Sequence, residues 1–238
     1  MRNARTIILN LIRRYLTRHG YTLAHTNISG VEPLKLWMSD TGFLMIWDEI
    51  CKKTMIDVSR AYMIYQLLLN VRHLKGAAAE IGVWRGGTAQ LISSVLYHKM
   101  IYLFDTFEGL PAVSPDFDKN FHCEGEFGDT CYEDVKNLFA QQDYVKVIKG
   151  VFPGSIEKNN TYPREFCFVH VDVDLYQSAK DSCEHFYPLL VPGGVMIFDD
   201  YGFGTCPGVR QAVDEFFKGK HGHFYLPTGQ YVVIKNGD

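Results

Sequence analysis

From about residue 54 onward, two kinds of apolar pattern alternate along the chain. Short runs with few polar positions fall at Ala77 to Val83, Ile101 to Phe104, Val145 to Ile148, Phe166 to Val171 and Val195 to Phe198. Runs of this kind predict strands buried on both faces. Between them lie stretches predicted as helices: Thr54 to Leu74, Thr88 to about Tyr97, Glu133 to Gln142, Ser178 to Leu190 and Val209 to Phe217. In the first, Met55, Val58, Tyr62, Tyr65, Leu68 and Leu69 carry the helical pattern. His223 to Leu226 and Tyr231 to Ile234 flank Pro227–Thr228–Gly229–Gln230, which predicts a closing hairpin. The alternation implies an α/β fold with a mostly parallel sheet, helices on both faces, and one antiparallel strand from that hairpin.

The first 50 residues read differently. Ile7, Ile8, Leu11, Ile12, Tyr15 and Leu16 share one face of a helix, with Arg2, Arg5, Arg13, Arg14 and Arg18 mostly elsewhere. Packing of this helix on its own core or on another subunit is expected. Peripheral contact of residues 1–18 with an anionic membrane surface, at its inner face, is the alternative. Gly20, Gly30, Pro33 and Gly42 break the periodicity, so residues 20–50 are expected to be irregular. The organisation expected is a helix and cap or lid over 1–53, followed by one domain over 54–238.

Composition narrows the classes. Lys plus Arg number 24 against 27 Asp plus Glu, a balance that argues against a nucleic-acid binder. With 47% hydrophobic and 21% charged residues in 238, the chain has the make-up of a globular protein with a large core. No apolar run approaches the ~20 residues of a membrane span, and Arg13 and Arg14 interrupt the N-terminal apolar stretch, against a signal peptide. The six cysteines, 51, 123, 131, 167, 183 and 206, form no CxxC pair, so free thiols in a reducing, cytoplasmic setting are expected.

Chemistry concentrates at the ends of the predicted strands. Glu80–Ile81–Gly82–Val83–Trp84–Arg85–Gly86–Gly87–Thr88 joins a strand to a helix; Gly82 permits a sharp turn close to a ligand, and the helix opened by Gly86 and Gly87 offers N–H groups to an anion. The next strand ends at Asp105, at about the 20-residue offset where an acid can accept ribose hydroxyls. Together these point to a nucleoside cofactor, either a nicotinamide dinucleotide or S-adenosylmethionine. The turn lacks the second glycine of GxGxxG, and bulky Trp84 and Arg85 suit a smaller ligand with a free carboxylate. The sharpest signal is Asp172 and Asp174 after one strand and Asp199 and Asp200 after the next. A right-handed crossover brings both tips to one edge, and carboxylates crowded there call for a hard divalent cation or raised pKa values. His170 reads as a packed histidine, Tyr176 and Tyr201 as packing aromatics, Arg210 as a pocket or surface ion-pair residue, and His221 and His223 as exposed. Glu124, Glu126, Asp129, Glu133 and Asp134 read as a solvated lid and helix start.

These residues together resemble the macrocin O-methyltransferase family, sugar O-methyltransferases that depend on S-adenosylmethionine and Mg²⁺. The resemblance runs from about Thr54 to Ile234. It rests on Thr54–Met55, Glu80 to Gly87, Asp105–Thr106–Phe107–Glu108–Gly109–Leu110–Pro111, Val171 to Tyr176, and Phe198–Asp199–Asp200–Tyr201. It implies a Rossmann-like class I methyltransferase fold with a seven-stranded sheet, and a homo-oligomer. It implies that Asp172, Asp199 and Asp200 hold the metal and that Asp174 is the general base, with Asp172 also in the catalytic and cofactor sites. It places Glu80, Gly82, Gly87 and Thr88 around the methionine portion, Asp105, Thr106 and Phe107 near the ribose, Gly150, Val151 and Phe152 at the adenine, and Thr54 and Met55 over the cofactor. Val173 stands where some relatives carry glycine. The acceptor, a sugar or glycosylated small molecule, is expected to contact Ala112 to Gly128. The competing readings are a phenol or catechol O-methyltransferase, a nicotinamide-dependent oxidoreductase, and a non-catalytic adaptor of a glycan-assembly complex.

Overall fold

The computed structural model describes residues 35–156 and 162–237, together with Ile12. The basic helix expected over residues 1–18, and with it any membrane or subunit contact it makes, lies outside the described residues apart from Ile12. Residues 37–238 form one compact unit. Its elements, in chain order, are α1 (Thr41–Ile50), α2 (Val58–Val71), β1 (Ala77–Ile81), α3 (Gly87–Val95), β2 (Ile101–Asp105), α4 (Tyr132–Leu138) and β3 (Val145–Lys149). Then follow β4 (Phe166–Val171), α5 (Tyr176–Phe186), β5 (Leu190–Phe198), α6 (Pro207–Phe217), β6 (His223–Tyr225) and β7 (Tyr231–Ile234).

Helix α1 overturns the expectation that 20–50 is irregular throughout. Asp40 caps it, its carboxylate accepting from the Phe43 N–H at 3.0 Å. Phe43 and Ile50, two turns apart, are fully buried on the inner side. Gly42 sits in the first turn, where it does not break the helix. Helix α2 starts later than predicted, because Asp57 accepts from Ser59 N–H (2.8 Å) and Arg60 N–H (3.2 Å) and fixes the start at Val58.

The seven strands form one sheet in the order β3-β2-β1-β4-β5-β7-β6. Strands β1 to β5 pair in parallel, and β7 runs antiparallel to both β5 and β6. The predicted mostly parallel sheet with one antiparallel strand is thus observed. Side-chain alternation builds two cores. On one face Ala78, Leu103, Phe168 and Ile197 meet α1, α2, α3 and α4. On the other Ala79, Phe104, Val169 and Phe198 meet α5 and α6. The strand order reverses between β1 and β4, so their carboxyl ends open a crevice, the usual place for a ligand in such sheets.

Candidate active site at the strand tips

Gly82 shapes the floor of that crevice. Its φ is +83°, and a β-carbon there would stand 1.7 Å from the Asp172 carbonyl oxygen, so only glycine lets the β1 and β4 tips close together. Above it opens a cleft to solvent. Thr54, Met55, Gly82, Thr88, Asp105 and Thr106 line it, as do Gly150, Val151, Phe152 and Asp172. The Thr54 and Thr88 hydroxyls lie 3.1 Å apart, tying the segment before α2 to the start of α3. Trp84, Phe127 and Asp174 also line the cleft, and all three have positive φ (48°, 62° and 59°). Side chains in that backbone region are strained, a state that clusters at functional sites.

Three expected cofactor residues do not line the cleft: Glu80, Gly87 and Phe107. Phe107 is buried in the α2–α3 core. The Gly87 N–H, expected to be free for an anion, donates to the Lys53 carbonyl at 3.0 Å. Glu80 is buried, with Oε1 paired to His170 Nδ1 at 2.9 Å, while its Oε2 has no hydrogen-bond partner among the described residues. Asp105 lines the cleft, but much of its carboxylate is already engaged. Oδ2 accepts from Val83 N–H (2.7 Å) and Trp84 N–H (2.9 Å), and Oδ1 from Phe107 N–H (2.6 Å). A carboxylate has about four lone-pair positions, and the Thr106 hydroxyl stands 3.4 Å from Oδ1 as a fourth donor. Asp105 therefore also locks the glycine turn to the loop after β2.

The carboxylates of Asp172, Asp199 and Asp200 converge, with one oxygen of each within 4.8 Å of the others. Their electrical environments differ. Asp199 is fully buried; Arg60 of α2 pairs with Oδ2, Gln230 Nε2 donates to Oδ1 at 2.8 Å, and His170 Nε2 stands 3.7 Å away. Burial opposes charge on His170, but the Asp199 and Glu80 carboxylates outweigh it and push its pKa up to about 10. Arg60 and protonated His170 thus balance Asp199 and Glu80. Arg60 and His170 also act on Asp172 and Asp200, but burial and the neighbouring carboxylates outweigh them. Burial raises the Asp172 carboxyl well above its usual range, and the charges of Asp200 and Asp199 add to this. Burial likewise pushes Asp200 to about 6, with Asp199 adding to the shift. Three hard oxygen donors with an excess of negative charge fit a divalent cation. The cluster lay in the sequence, but Arg60 and Gln230 gave no signal there; they reach Asp199 only because α2 and the β7 entry cover the same sheet face.

Beside this cluster, Asp200 Oδ2 accepts from the Val173 and Asp174 N–H groups, both at 3.1 Å, and so holds the Asp174 turn. Asp174 Oδ1 lies 3.4 Å from Cys206 Sγ, which lies 3.7 Å from His122 Nε2. The loop that carries His122 is pinned, not merely solvated. Asp118 is fully buried and accepts from the Tyr176 N–H at the start of α5 (3.2 and 3.3 Å). Asp129 takes the indole N–H of Trp84 (2.8 Å) and Arg85 (2.6 Å). The acidic segment is exposed at Asp129, as expected, although paired with Arg85, and half-buried at Glu126, which pairs with His122 at 3.1 Å. Asp118→Ala is expected to cost about 1–2 kcal/mol, read as a lower denaturation midpoint with an unchanged denaturant slope. Tyr176 stacks on Phe117 and Tyr201 on Tyr231, neither lining the cleft; Arg210 makes the exposed pair with Asp214, at 3.8 Å.

The pKa shifts set a pH dependence for the metal-free chain. Burial and the Asp200 charge push Asp174 up to about 8. Between the unfolded carboxylate value of about 3.9 and these folded values, Asp174 and Asp200 bind more protons folded than unfolded. His170 does the same between 6.5 and about 10. Each therefore makes stability fall as pH rises. In chelator, the melting temperature is expected to drop between about pH 5 and 8, and Mg²⁺ to raise it more at the upper end. A melting temperature flat across this range, with no Mg²⁺ effect, contradicts the charge balance above.

Comparison with known proteins places this geometry. The family described as Macrocin-O-methyltransferase matches residues 47–223. The chain is 27% identical to 8-demethyl-8-(2,3-dimethoxy-alpha-L-rhamnosyl)-tetracenomycin-C 4'-O-methyltransferase of Streptomyces olivaceus, over 92% of this chain and 87% of that one. It is 30% identical to demethyldecarbamoylnovobiocin O-methyltransferase of Streptomyces niveus, over 68% of this chain and 67% of that one. Among solved structures, the O-methyltransferase NovP superposes with a TM-score of 0.67 at 26% identity, covering 78% of this chain and 83% of that one. Among the described residues, no helix is long and apolar enough to cross a membrane. The seven-stranded sheet with its reversed closing strand, and a family match spanning both strand tips, lead to one assignment: the chain belongs to the macrocin O-methyltransferase family, a family of enzymes with the class I methyltransferase fold.

Proposed function

We propose that this chain transfers a methyl group from S-adenosylmethionine to a hydroxyl of a sugar or glycosylated small molecule, with Mg²⁺ held by Asp172, Asp199 and Asp200. The observation that carries the reading is the convergence of those three carboxylates beside a cleft that Asp172 and Asp174 also line. The sulfonium supplies an electrophilic methyl group, and the cation supplies positive charge that makes a hydroxyl more acidic.

The chain's own residues do the rest. The cleft would take a nucleoside with an amino-acid tail: Gly82 leaves its floor open, and Asp105 and Thr106 line it where the ribose would lie. Val151 and Phe152 form one wall. Asp172 and Asp200 would bring the excess negative charge to a cation, while Asp199 would share its carboxylate with Arg60. Asp174 would take the acceptor's proton. Burial raises its carboxyl above the ordinary aspartate range and so makes it a stronger base, as general-base catalysis near neutral pH requires. Trp84, Leu110, Pro111 and Phe127 give the cleft apolar lining. We place all of these roles in 54–238.

Two measurements test this. Calorimetric titration with S-adenosylhomocysteine is expected to show binding with or without chelator. A mass-spectrometric assay over sugar and phenol acceptors is expected to show a methylated sugar only with Mg²⁺ present. No binding removes the cofactor reading; transfer undiminished by chelator removes the cation, and a methylated phenol alone moves the acceptor class.

A further inference from the structure

A second group of donors meets outside the three-aspartate cluster. His122 Nε2, Cys206 Sγ and Asp174 Oδ1 all lie within 4.8 Å of one another. His122 and Cys206 are buried. They come from distant parts of the chain: the loop after β2, the turn before α6, and the β4 tip.

His122 Nδ1 faces Glu126 Oε2 at 3.1 Å, and its Nε2 lies 3.7 Å from Cys206 Sγ. Asp174 Oδ1 stands 3.4 Å from the same sulfur and Thr205 Oγ1 3.5 Å. Donors from three separate parts of the chain thus meet around one buried sulfur.

The spacing fits a metal ion. Zinc bonds of about 2.3 Å to sulfur and 2.0–2.1 Å to nitrogen or oxygen, in tetrahedral array, set the sulfur about 3.5 Å from its neighbours. The two sulfur separations, 3.7 and 3.4 Å, bracket that value. The Glu126–His122 pair is the carboxylate–imidazole arrangement that orients a metal-binding histidine. One thiol, one imidazole and one carboxylate make a borderline-soft donor set, suited to zinc rather than to magnesium.

We infer that His122, Cys206 and Asp174 form a second metal site, selective for a zinc-class divalent ion. Binding exchanges the Cys206 thiol proton for the ion and releases that proton to solvent. It also ties the loop after β2 to the start of α6, and by taking Asp174 Oδ1 it withdraws Asp174 from the proton-acceptor role, so an ion here opposes methyl transfer. The inference does not rest on the methyl-transfer reading, and its test reads the ion itself.

The experiment is a Co²⁺ titration of the full chain with Mg²⁺ saturating, in a background where exposed Cys123 and Cys131 are serine. A thiolate-to-cobalt charge-transfer band in the near ultraviolet is expected, saturating at one equivalent and reversed by zinc. Cys206→Ser is expected to abolish the band, and Asp172→Asn to leave it. Glu126→Gln, at a half-exposed position, is expected to weaken cobalt binding about 10-fold. This variant carries the test if Cys206→Ser does not fold by circular dichroism. No band in the parent chain, a full band in folded Cys206→Ser, or unchanged affinity in Glu126→Gln each overturns the site.

Discussion

Asp174→Asn is expected to lower kcat by about 10²–10⁴-fold and to leave S-adenosylhomocysteine affinity close to that of the parent. The structure makes this substitution unusually clean. Asp174 has φ 59°, and asparagine is among the few residues that tolerate that backbone well. The turn itself is held by Asp200, whose Oδ2 accepts the Val173 and Asp174 N–H groups, not by the Asp174 side chain. Asparagine keeps the shape and an oxygen and loses the basic lone pair. The proton acceptor then fails while the cleft stands. Single-turnover kinetics measure the chemical step directly; a rate within about threefold of the parent would assign the proton to another group.

Asp199→Asn is expected to destabilise the fold by about 3–5 kcal/mol, the usual cost of removing one partner of a buried charge pair. Asp199 is fully buried, and it holds three groups at once: Arg60, Gln230 and His170. Burial alone would raise its pKa, yet His170 and Arg60 hold it below the usual carboxylate range. Without its charge, half-buried Arg60 keeps only Asp57 and buried His170 only Glu80. Urea unfolding measures the cost, and a loss under about 1 kcal/mol would show that the network contributes little. Loss of turnover in this variant therefore does not identify a metal ligand. Asp172→Asn does so better, because no hydrogen bond to its carboxylate is present among the described residues.

These two aspartates show how far a sequence reading reaches. Both stand in motifs at predicted strand ends, and the crossover rule brings the strand ends together. Their division of labour was not legible. Side-chain alternation sends Glu80, His170 and Asp199 to the face covered by α2, and there Arg60 meets them. The pattern of a single helix does not reveal which of its charges will sit over a distant strand. The same holds for Asp105. Its position after β2 identified a cleft residue, but not that three backbone N–H groups already bind its carboxylate.

The sequence by itself determined what depends on local order: the α/β alternation, the closing hairpin, Gly82 at a turn, and aspartates at two strand ends. Apolar periodicity and turn chemistry act over a few residues, so they are written in adjacent letters. It missed α1, whose Asp40 cap and buried Phe43 and Ile50 lie between glycines that mask a two-and-a-half-turn pattern. Only the tertiary structure decided which carboxylates are neutralised, which loop is pinned by Asp118, and that His122 and Cys206 meet Asp174. Charge balance and donor geometry are set by distances across the fold, and residues 84 positions apart in the chain become neighbours only when the sheet and its helices close.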